Sequence, residues 1–309
     1  MNKAQEITSQ LWEMANRLRS NMDASEYRNY ILGFMFYRYL SEHQEKSMVE
    51  NKVIDVAEDQ SVNDAYKEQA SGEDLNDYLE EIASSLGYVI APEYTWATIV
   101  DKVNNNTIAP SDYQDMLDSF NHNLSLNRNA KVDFHGIFDD MNLGNSRLGN
   151  STSARAKALT DIVNLVDQVE YRDENGKDIL GDIYTYLIKE FAGNSGKKAG
   201  EFYTPHQVSE VLAKLATSSL DPELESPEVY DFACGSGSLL LTVKDQLKNK
   251  VAQKKLKYAG QELNTTTYNL ARMNLMMHDV RYQNMTLKNA DTLEMDWPDG
   301  VDEHGVDHP

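Results

Sequence analysis

Cysteine is almost absent from this sequence, because Cys234 is the only one among 309 residues. A single cysteine cannot form an internal disulfide, which is typical of proteins from a reducing compartment. The chain also contains no run of eighteen apolar residues, and its first residues lack the apolar core of a secretory signal. We therefore expect a cytoplasmic protein with no membrane-spanning segment.

Positive charge is scarce as well. The chain carries 29 lysines and arginines against 50 acidic residues, which gives a formal net charge of −21. A protein that grips DNA by itself usually presents a basic surface, and this composition would repel phosphate over most of its area. An acidic surface that merely keeps the protein in solution is one interpretation. If the chain acts on nucleic acid, a partner or a further segment must supply the positive charge.

The first half of the chain shows no convincing strand pattern. Apolar residues recur at helical spacing in residues 7–18. A second helix is predicted from Asp23 as N-cap, with Glu26 in a variant of the capping box, through residue 40. It is apolar almost all round, so we expect it to be buried. Further helices are predicted at residues 94–103, 113–120 and 154–169, with a solvated loop or exposed helix at 58–74. Residues 1–170 are thus predicted to form a helical domain.

The pattern changes to alternating strands and helices in residues 171–309, after a helix predicted at 178–191. Strands are predicted at residues 229–232, 258–261 and 285–290, with helices at 238–248 and 266–278 between them. This alternation predicts a parallel sheet with helices on its faces. The expected fold is therefore a helical N-terminal domain followed by an α/β domain.

A glycine-rich turn follows the first predicted strand. Gly235 and Gly237 let the backbone turn tightly and approach a ligand, at the start of a helix whose N–H groups lack partners. Asp231 precedes the glycines, and Glu262 ends the second strand, where a carboxylate can accept both hydroxyls of a ribose. A tight turn without a ligand is the alternative. Two details favour S-adenosylmethionine (SAM) over a dinucleotide: Asp231 can accept from the cofactor's ammonium group, and Leu240 replaces the third glycine of the dinucleotide fingerprint.

A second glycine-rich segment, residues 193–200, resembles a phosphate-binding loop only superficially. Its spacing to the Gly-Lys pair is wrong, no Ser or Thr follows the lysine, and a helix precedes it instead of a strand. We therefore predict no phosphate site there.

Residues 200–207 contain a predicted helix start. Thr204 suits the N-cap, Pro205 the first helical position, and Gln207 completes a capping box. Capping alone explains these residues, but it does not explain the aromatic pair Phe202-Tyr203 beside them. The helix that follows is predicted to bury its apolar face, which consists of Val208, Val211, Leu212 and Leu215.

Several of these segments together resemble a known enzyme family. Gly200-Glu201-Phe202-Tyr203-Thr204-Pro205 is similar to the segment that opens the catalytic domain of amino-methyltransferases with a permuted motif order. Residues 231–237 resemble their SAM motif, Glu262 their ribose-binding acid, and Asn289-Ala290-Asp291-Thr292-Leu293 the segment whose Asp approaches the cofactor adenine. In the first half, Leu11-Trp12, Leu18-Arg19 and residues 26–33 resemble the opening of the modification subunit of type I restriction–modification systems.

The resemblance implies a Rossmann-like, SAM-dependent methyltransferase domain with cofactor contacts at defined positions. Carried over residue by residue, these contacts are Glu201, Phe202, Tyr203, Thr204, Pro205, His206, Gly235, Ser236, Gly237, Ser238 and Glu262, with Asp231 and Asp291 as further members. The family transfers a methyl group from SAM to N6 of adenine in DNA. It works with a specificity subunit that reads the DNA sequence, and a restriction subunit can join them, which would account for the acidic surface. The helical domain would then serve assembly, not chemistry.

One family motif is missing. The catalytic tetrapeptide is Asn-Pro-Pro-aromatic, in which the Asn side chain and the first Pro carbonyl accept from the target amine and the aromatic ring stacks on a flipped base. None of the seven prolines here is adjacent to another, so the tetrapeptide is absent. We therefore expect it to lie beyond Pro309 in a longer parent protein, and the chain itself to be an inactive fragment with no catalytic residue of its own.

Other kinds of site receive little support from the sequence. Cys234 lacks the preceding proline of cytosine methyltransferases, the seven histidines are scattered without a metal-ligand pattern, and the lysines of residues 244–257 are interpreted as a solvated helix end. The alternative to a methyltransferase subunit is a non-catalytic helical interaction module joined to a nucleotide-binding half-domain.

Overall fold

The computed structural model describes residues 9, 11–13, 16, 24–127, 131–171, 179–194, 204–221 and 223–294. The chain divides into two compact units, residues 1–180 (unit 1) and 181–309 (unit 2). The described elements of unit 1 are all helical, and those of unit 2 include a parallel sheet with helices. The predicted fold class is therefore confirmed, whereas the predicted domain boundary after residue 170 stays a prediction.

In the described part of unit 1, helices are joined by turns and loops. The helices are α1 Ala24–Glu50, α2 Val62–Gln69, α3 Leu75–Leu86, α4 Trp96–Asn104, α5 Asp112–Asn123, α6 Lys131–Phe134 and α7 Thr152–Asp167. The three amphipathic stretches predicted at 94–103, 113–120 and 154–169 correspond to α4, α5 and α7, whereas α3 and α6 were not predicted. Of the helix predicted at 7–18, residues 9, 11–13 and 16 are described and helical, and the others lie outside the described residues.

Helix α1 forms the centre of unit 1, as its apolar composition predicts. Its residues from Tyr30 to Tyr37 are buried. The Tyr37 hydroxyl donates to the Tyr94 carbonyl at 2.9 Å, so this large side chain is buried with its polar end satisfied. Glu26 forms an ion pair with Arg147, and Asp23, the predicted N-cap, lies outside the described residues.

Helix α1 extends ten residues further than the pattern predicted. Its last turns bury Ser41, Gln44 and Met48, so two of the three inward positions carry polar side chains. The Gln44 side chain accepts from the Ile90 N–H at 2.7 Å and donates to the Ile90 carbonyl at 2.9 Å. Because buried polar groups need such partners, Gln44 can take a core position, but hydrophobic periodicity alone does not reveal it.

Unit 2 contains three parallel strands in the order β1-β2-β3. Its elements are α8 Leu180–Asn194, α9 His206–Thr217, β1 Glu228–Asp231, α10 Ser238–Gln246, α11 Lys250–Lys255, β2 Lys257–Gln261, α12 Thr265–Met277 and β3 Met285–Lys288. Val229 is paired with Tyr258, and Tyr258 with Met285, so the carboxyl ends of the strands lie at one edge. The three predicted strands are confirmed: β1 lies one residue earlier than predicted, β2 begins one residue earlier, and β3 ends two residues earlier.

Helix α9 contradicts the predicted burial of its apolar face. Val208, Val211, Leu212 and Leu215 are all exposed, and Leu215 retains 66% of its accessible surface. The buried positions are Ser209 and Ala213, four residues apart. These small side chains let α9 lie close against α10 on a different face, and that contact overrides the amphipathic pattern.

Among the described residues, no helix has both the length and the apolarity needed to cross a lipid bilayer.

Candidate cofactor site

The glycine-rich turn, residues 231–237, connects β1 to α10. Gly235 and Gly237 have φ angles of 55° and 77°, in the left-handed region that favours glycine. The Gly237 N–H donates to the Cys234 carbonyl at 2.8 Å, which closes the turn. A Cβ at Gly235 would meet nothing within 4 Å, so the space over this residue is open to a ligand. The turn has the geometry of a site in which backbone approaches a bound molecule.

Glu262 follows β2 directly and contacts this turn. Its Oε2 atom accepts from the Gly235 N–H at 3.1 Å, and its Oε1 atom accepts from the Asn264 N–H at 2.8 Å. Each carboxylate oxygen has two acceptor positions, so each keeps one for a ligand. The side chain is therefore held in one orientation and retains the capacity to accept from two further hydroxyl groups.

Asp231 is the second carboxylate of the candidate site and is the last residue of β1. Its Oδ1 atom accepts from the Ala233 N–H at 3.1 Å. Burial raises the pKa of Asp231, the Ala233 N–H lowers it, and the negative charge of Glu262 raises it again. Two neighbouring carboxylates favour a ligand that brings positive charge or several hydroxyl donors.

The loop after β3 is fastened to the other two loops. The Asn289 side chain donates to the carbonyls of Glu262 and Leu263 and accepts from the Thr265 hydroxyl. The Thr292 hydroxyl donates to the carbonyl of Phe232. These bonds bring the segment of Asp291 to the same edge of the sheet as the glycine-rich turn.

Asp291 itself forms a local turn, in which its Oδ1 atom accepts from the Leu293 N–H at 3.0 Å. Asn289 was not among the predicted site residues, although it lies within the segment on which the resemblance rests. The strand predicted at 285–290 includes Asn289, whereas β3 ends at Lys288, so its position just after the strand is visible only in the structure.

Cys234 lies inside the turn as a packing residue. It is buried, and its N–H donates to the Gln261 carbonyl at 2.9 Å. Its sulfur lies beside Gly260 of β2, where a Cβ would come within 3.1 Å of it. Burial, with the nearby charges of Asp231 and Glu262, raises the pKa of the thiol, so it stays protonated. A protonated, buried thiol is a poor nucleophile.

Comparison with known proteins agrees with this geometry. Residues 7–166 match the family described as the HsdM N-terminal domain, and residues 175–308 match the N-6 DNA methylase family. The chain is 34% identical over 295 residues to the type I restriction enzyme MpnII methylase subunit of Mycoplasma pneumoniae, an alignment that covers 93% of this chain and 52% of that protein. The chain belongs to the type I restriction–modification methylase subunits.

Further relatives of this family are similar along nearly the whole chain. The MjaIX methylase subunit of Methanocaldococcus jannaschii is 24% identical over 299 residues, covering 91% of this chain and 49% of that subunit. The crystal structure of a type I restriction–modification methyltransferase subunit from Streptococcus thermophilus superposes with a TM-score of 0.81 at 33% identity, covering 96% of this chain and 60% of that one. The methylase-subunit chain described here thus spans about half the length of the curated relatives it matches.

Three of the predicted cofactor residues lie at the start of α9. The helix begins at His206, with Pro205 as the N-cap and no side-chain capping bond, so the predicted N-cap at Thr204 is wrong by one residue. A cap at Thr204 would require Pro205 to be helical, but its ψ angle of 136° is extended. The His206 imidazole lies 3.5 Å from the Glu210 carboxylate. Glu201, Phe202 and Tyr203 lie outside the described residues, and cofactor contact by residues 201–206 stays a prediction.

The serines of the glycine-rich turn lie beside one another at the start of α10. The hydroxyl oxygens of Ser236 and Ser238 are 3.1 Å apart. Ser238 is the first residue of α10, where the helix leaves N–H groups without intrahelical partners. Their contact with a cofactor stays a prediction.

The basic stretch runs from α10 through α11 to the first residue of β2, and two of its lysines have acidic neighbours. Lys255 pairs with Glu225 at 3.0 Å, and Lys257 pairs with Glu228 at 2.8 Å. Within the part of the chain that the structure describes, no group of three or more His, Cys, Asp or Glu side chains is placed to hold a metal ion.

A surface cavity of 330 Å³ lies elsewhere in unit 2, lined by residues that include Lys214, Pro227 and Lys248. Pro227 immediately precedes β1, so this cavity lies at the amino end of the strand. Ligands of parallel α/β sheets bind at the carboxyl ends of the strands, so we place the candidate site at the glycine-rich turn and not in this cavity.

Proposed function

We propose that unit 2 binds SAM at the glycine-rich turn, and that the chain is the cofactor-binding part of a DNA adenine methyltransferase subunit. The observation that carries the proposal is the position of Glu262. Its carboxylate is fixed by the N–H groups of Gly235 and Asn264 and keeps an acceptor position on each oxygen. This is the arrangement that a ribose with two free hydroxyls requires.

The remaining groups at this edge fit the other parts of SAM. Asp231 would accept from the ammonium group of the methionine moiety, and that positive charge would offset the repulsion between Asp231 and Glu262. Leu263 and Leu293 are exposed apolar side chains on the loops after β2 and β3, and an adenine has two apolar faces to cover. Asp291 would approach the adenine amine.

When bound, SAM would supply an electrophilic methyl group on its sulfonium sulfur. The residues described here would bind and orient it, whereas the acceptor side needs groups that bind the target amine. The Asn-Pro-Pro-aromatic tetrapeptide is absent from residues 1–309. We therefore infer that these residues by themselves transfer no methyl group, and that N6 of adenine is methylated by the longer protein.

We also propose that DNA, a specificity subunit and a restriction subunit are partners of the whole protein. The net charge of −21 fits a chain that leaves sequence reading to a more basic partner. Unit 1 would serve this assembly. Deletion of residues 1–170 from the full-length protein should abolish co-elution with the specificity subunit and leave SAM binding intact. A truncated protein that still forms a DNA-methylating complex would overturn this role.

Ligand discrimination by the 309-residue chain tests the cofactor proposal. Isothermal titration should show that SAM and S-adenosylhomocysteine bind and compete with each other, whereas NAD⁺ and ATP do not bind, because neither presents an amino acid to Asp231. Labelled SAM with adenine-rich duplex DNA should give no methyl transfer. Preference for NAD⁺ or ATP would support the alternative, an interaction module with a nucleotide-binding half-domain. Measurable methyl transfer would contradict the assignment of the acceptor side to the longer protein.

A further inference from the structure

Helix α12 carries an asparagine in the interior of unit 2. The side chain of Asn274 is fully buried, between the buried apolar neighbours Met273 and Leu275. A buried amide is unfavourable unless its donor and acceptor both find partners. The two hydrogen bonds of the Asn274 side chain explain why a polar residue is tolerated at this buried position.

The two bonds of Asn274 run to different elements. Its Nδ2 atom donates to the Ser236 carbonyl at 2.9 Å, inside the glycine-rich turn. Its Oδ1 atom accepts from the Thr185 hydroxyl on α8 at 3.0 Å. A carbonyl oxygen can only accept, so the amide nitrogen must face Ser236 and the amide oxygen must face Thr185. The chain of bonds from Thr185 through Asn274 to Ser236 thus has one direction.

Further contacts around Asn274 show that α8 and α12 pack closely against each other. The Tyr184 hydroxyl donates to the Met273 sulfur at 3.0 Å, and a Cβ at Gly181 would come within 2.8 Å of the Met277 carbonyl. On the turn side, a Cβ at Gly237 would be in ordinary contact with Leu275. Helix α12 therefore supports the glycine-rich turn directly, and Asn274 is the buried polar link between that support and α8.

We propose that Asn274 is a positioning residue for the glycine-rich turn, and that Thr185 orients it from α8. The Asn274 amide holds the Ser236 carbonyl inward, which fixes the peptide plane between Ser236 and Gly237 and so directs the backbone N–H groups at the start of α10. The cofactor part of this inference rests on the proposed SAM site.

Conservative variants separate positioning from general stability. Thr185→Val removes the hydroxyl at nearly constant volume, Thr185→Ser keeps it, and Asn274→Leu replaces the amide by an apolar side chain of similar size. Tyr184→Phe is the matched control, because it removes the hydroxyl that donates to Met273 across the same pair of helices without touching the Thr185–Asn274 bond.

The readouts are the SAM dissociation constant of the 309-residue chain and the hydrogen-exchange rates of the Gly235 and Gly237 amides without ligand. We expect Thr185→Val and Asn274→Leu to weaken SAM binding about three- to tenfold, on the scale of one hydrogen bond. Exchange at both glycines should accelerate. Thr185→Ser should restore both quantities to within about twofold of the unmodified chain, and Tyr184→Phe should change neither, whatever its effect on the urea midpoint.

Two other outcomes are informative. If Thr185→Val and Asn274→Leu lower the urea midpoint but leave SAM affinity and glycine exchange unchanged, the residues are merely structural and the inference is wrong. If the unmodified chain binds no SAM, the proposed function fails, and glycine exchange alone then decides whether Asn274 positions the turn. Should Asn274→Leu fail to fold, the Thr185 pair still gives the answer.

Discussion

The Asn289 side chain donates one hydrogen bond to the Glu262 carbonyl at 2.8 Å and another to the Leu263 carbonyl at 3.0 Å. Glu262 in turn accepts from the turn at Gly235. The loops after β1, β2 and β3 are thus connected through one carboxylate and one amide. The candidate site depends on this connection, because each loop by itself is exposed at the end of a short strand.

Replacing Asn289 tests whether the connection matters for binding. Asn289→Asp puts a second acceptor opposite two carbonyl oxygens, whereas Asn289→Ala only removes the bonds. Lost neutral hydrogen bonds are worth about 0.5–1.5 kcal/mol each, so Asn289→Ala should weaken SAM binding about three- to tenfold. Asn289→Asp should weaken it further. Titration calorimetry would measure both, and an aspartate variant that binds as well as the alanine variant would refute the geometry.

Asp231 is expected to oppose folding while favouring the ligand. Its pKa is raised in the folded chain by burial and, after the opposing Ala233 bond, by Glu262. A group with a raised folded-state pKa contributes stability below its unfolded pKa, and this contribution is lost as pH rises through the folded pKa. At neutral pH Asp231→Asn should therefore leave the ligand-free chain as stable or more stable, because asparagine keeps the acceptor for the Ala233 N–H.

The same variant should weaken SAM binding about tenfold or more, since a charge-assisted hydrogen bond is worth about 1.5–3 kcal/mol. The affinity of the unmodified chain should fall at acidic pH as Asp231 becomes protonated. Asp221→Asn is the matched control, because Asp221 accepts from the N–H two residues ahead in the same way, at 2.9 Å, on an exposed loop. Equal effects of the two variants on affinity would rule out the ammonium role.

In unit 1, Arg38 contacts the end of α7 and the residues after it, and we expect these contacts to stabilise the unit. The Arg38 guanidinium donates to the carbonyls of Val166, Asp167 and Val169, at 2.7, 3.1 and 3.2 Å, and lies 4.0 Å from the centre of the Tyr171 ring. Arg38→Lys keeps the charge but loses the planar group, so it should lower the free energy of unfolding of unit 1 by about 1–3 kcal/mol.

Urea unfolding followed by tryptophan fluorescence would measure this loss, because the Trp96 indole donates to Asp167 at the end of α7. Lys46→Gln is the control: its side chain is 70% exposed and 3.8 Å from Glu50, so the change should stay within about 0.5 kcal/mol. An Arg38→Lys variant as stable as the control would show that charge alone accounts for the contact.

The sequence predicted the elements whose signals are local. The sequence was sufficient to predict the glycine-rich turn, the position of Glu262 after β2 and the apolar helix α1. Glycines favour positive φ angles, polar residues follow strand ends, and apolar residues favour burial, so each feature can be recognised from nearby residues. Features that depend on tertiary contacts were not visible. The polar continuation of α1 at Gln44 requires Ile90 as a partner. The choice of Ser209 and Ala213 as the buried face of α9 requires α10. The hydrogen bonds of Asn274 require α8 and the glycine-rich turn, and those of Asn289 require the loop after β2.

A ligand-and-variant cycle at Glu262 tests directly whether the ribose lies at this carboxylate. The unmodified chain, Glu262→Gln and the control Glu228→Gln are each titrated with S-adenosylhomocysteine and with its 2′-deoxy analogue. Glu228 serves as the control because it pairs with Lys257 at the other end of β1. We predict that Glu262→Gln weakens binding of S-adenosylhomocysteine about tenfold or more. In this variant, S-adenosylhomocysteine and its 2′-deoxy analogue should bind with nearly equal affinity. Glu228→Gln should bind both ligands like the unmodified chain. Two results would show that the ribose does not lie at Glu262. One is unchanged affinity in Glu262→Gln. The other is a loss of binding free energy, with both the hydroxyl and the carboxylate removed, that equals the sum of the two separate losses.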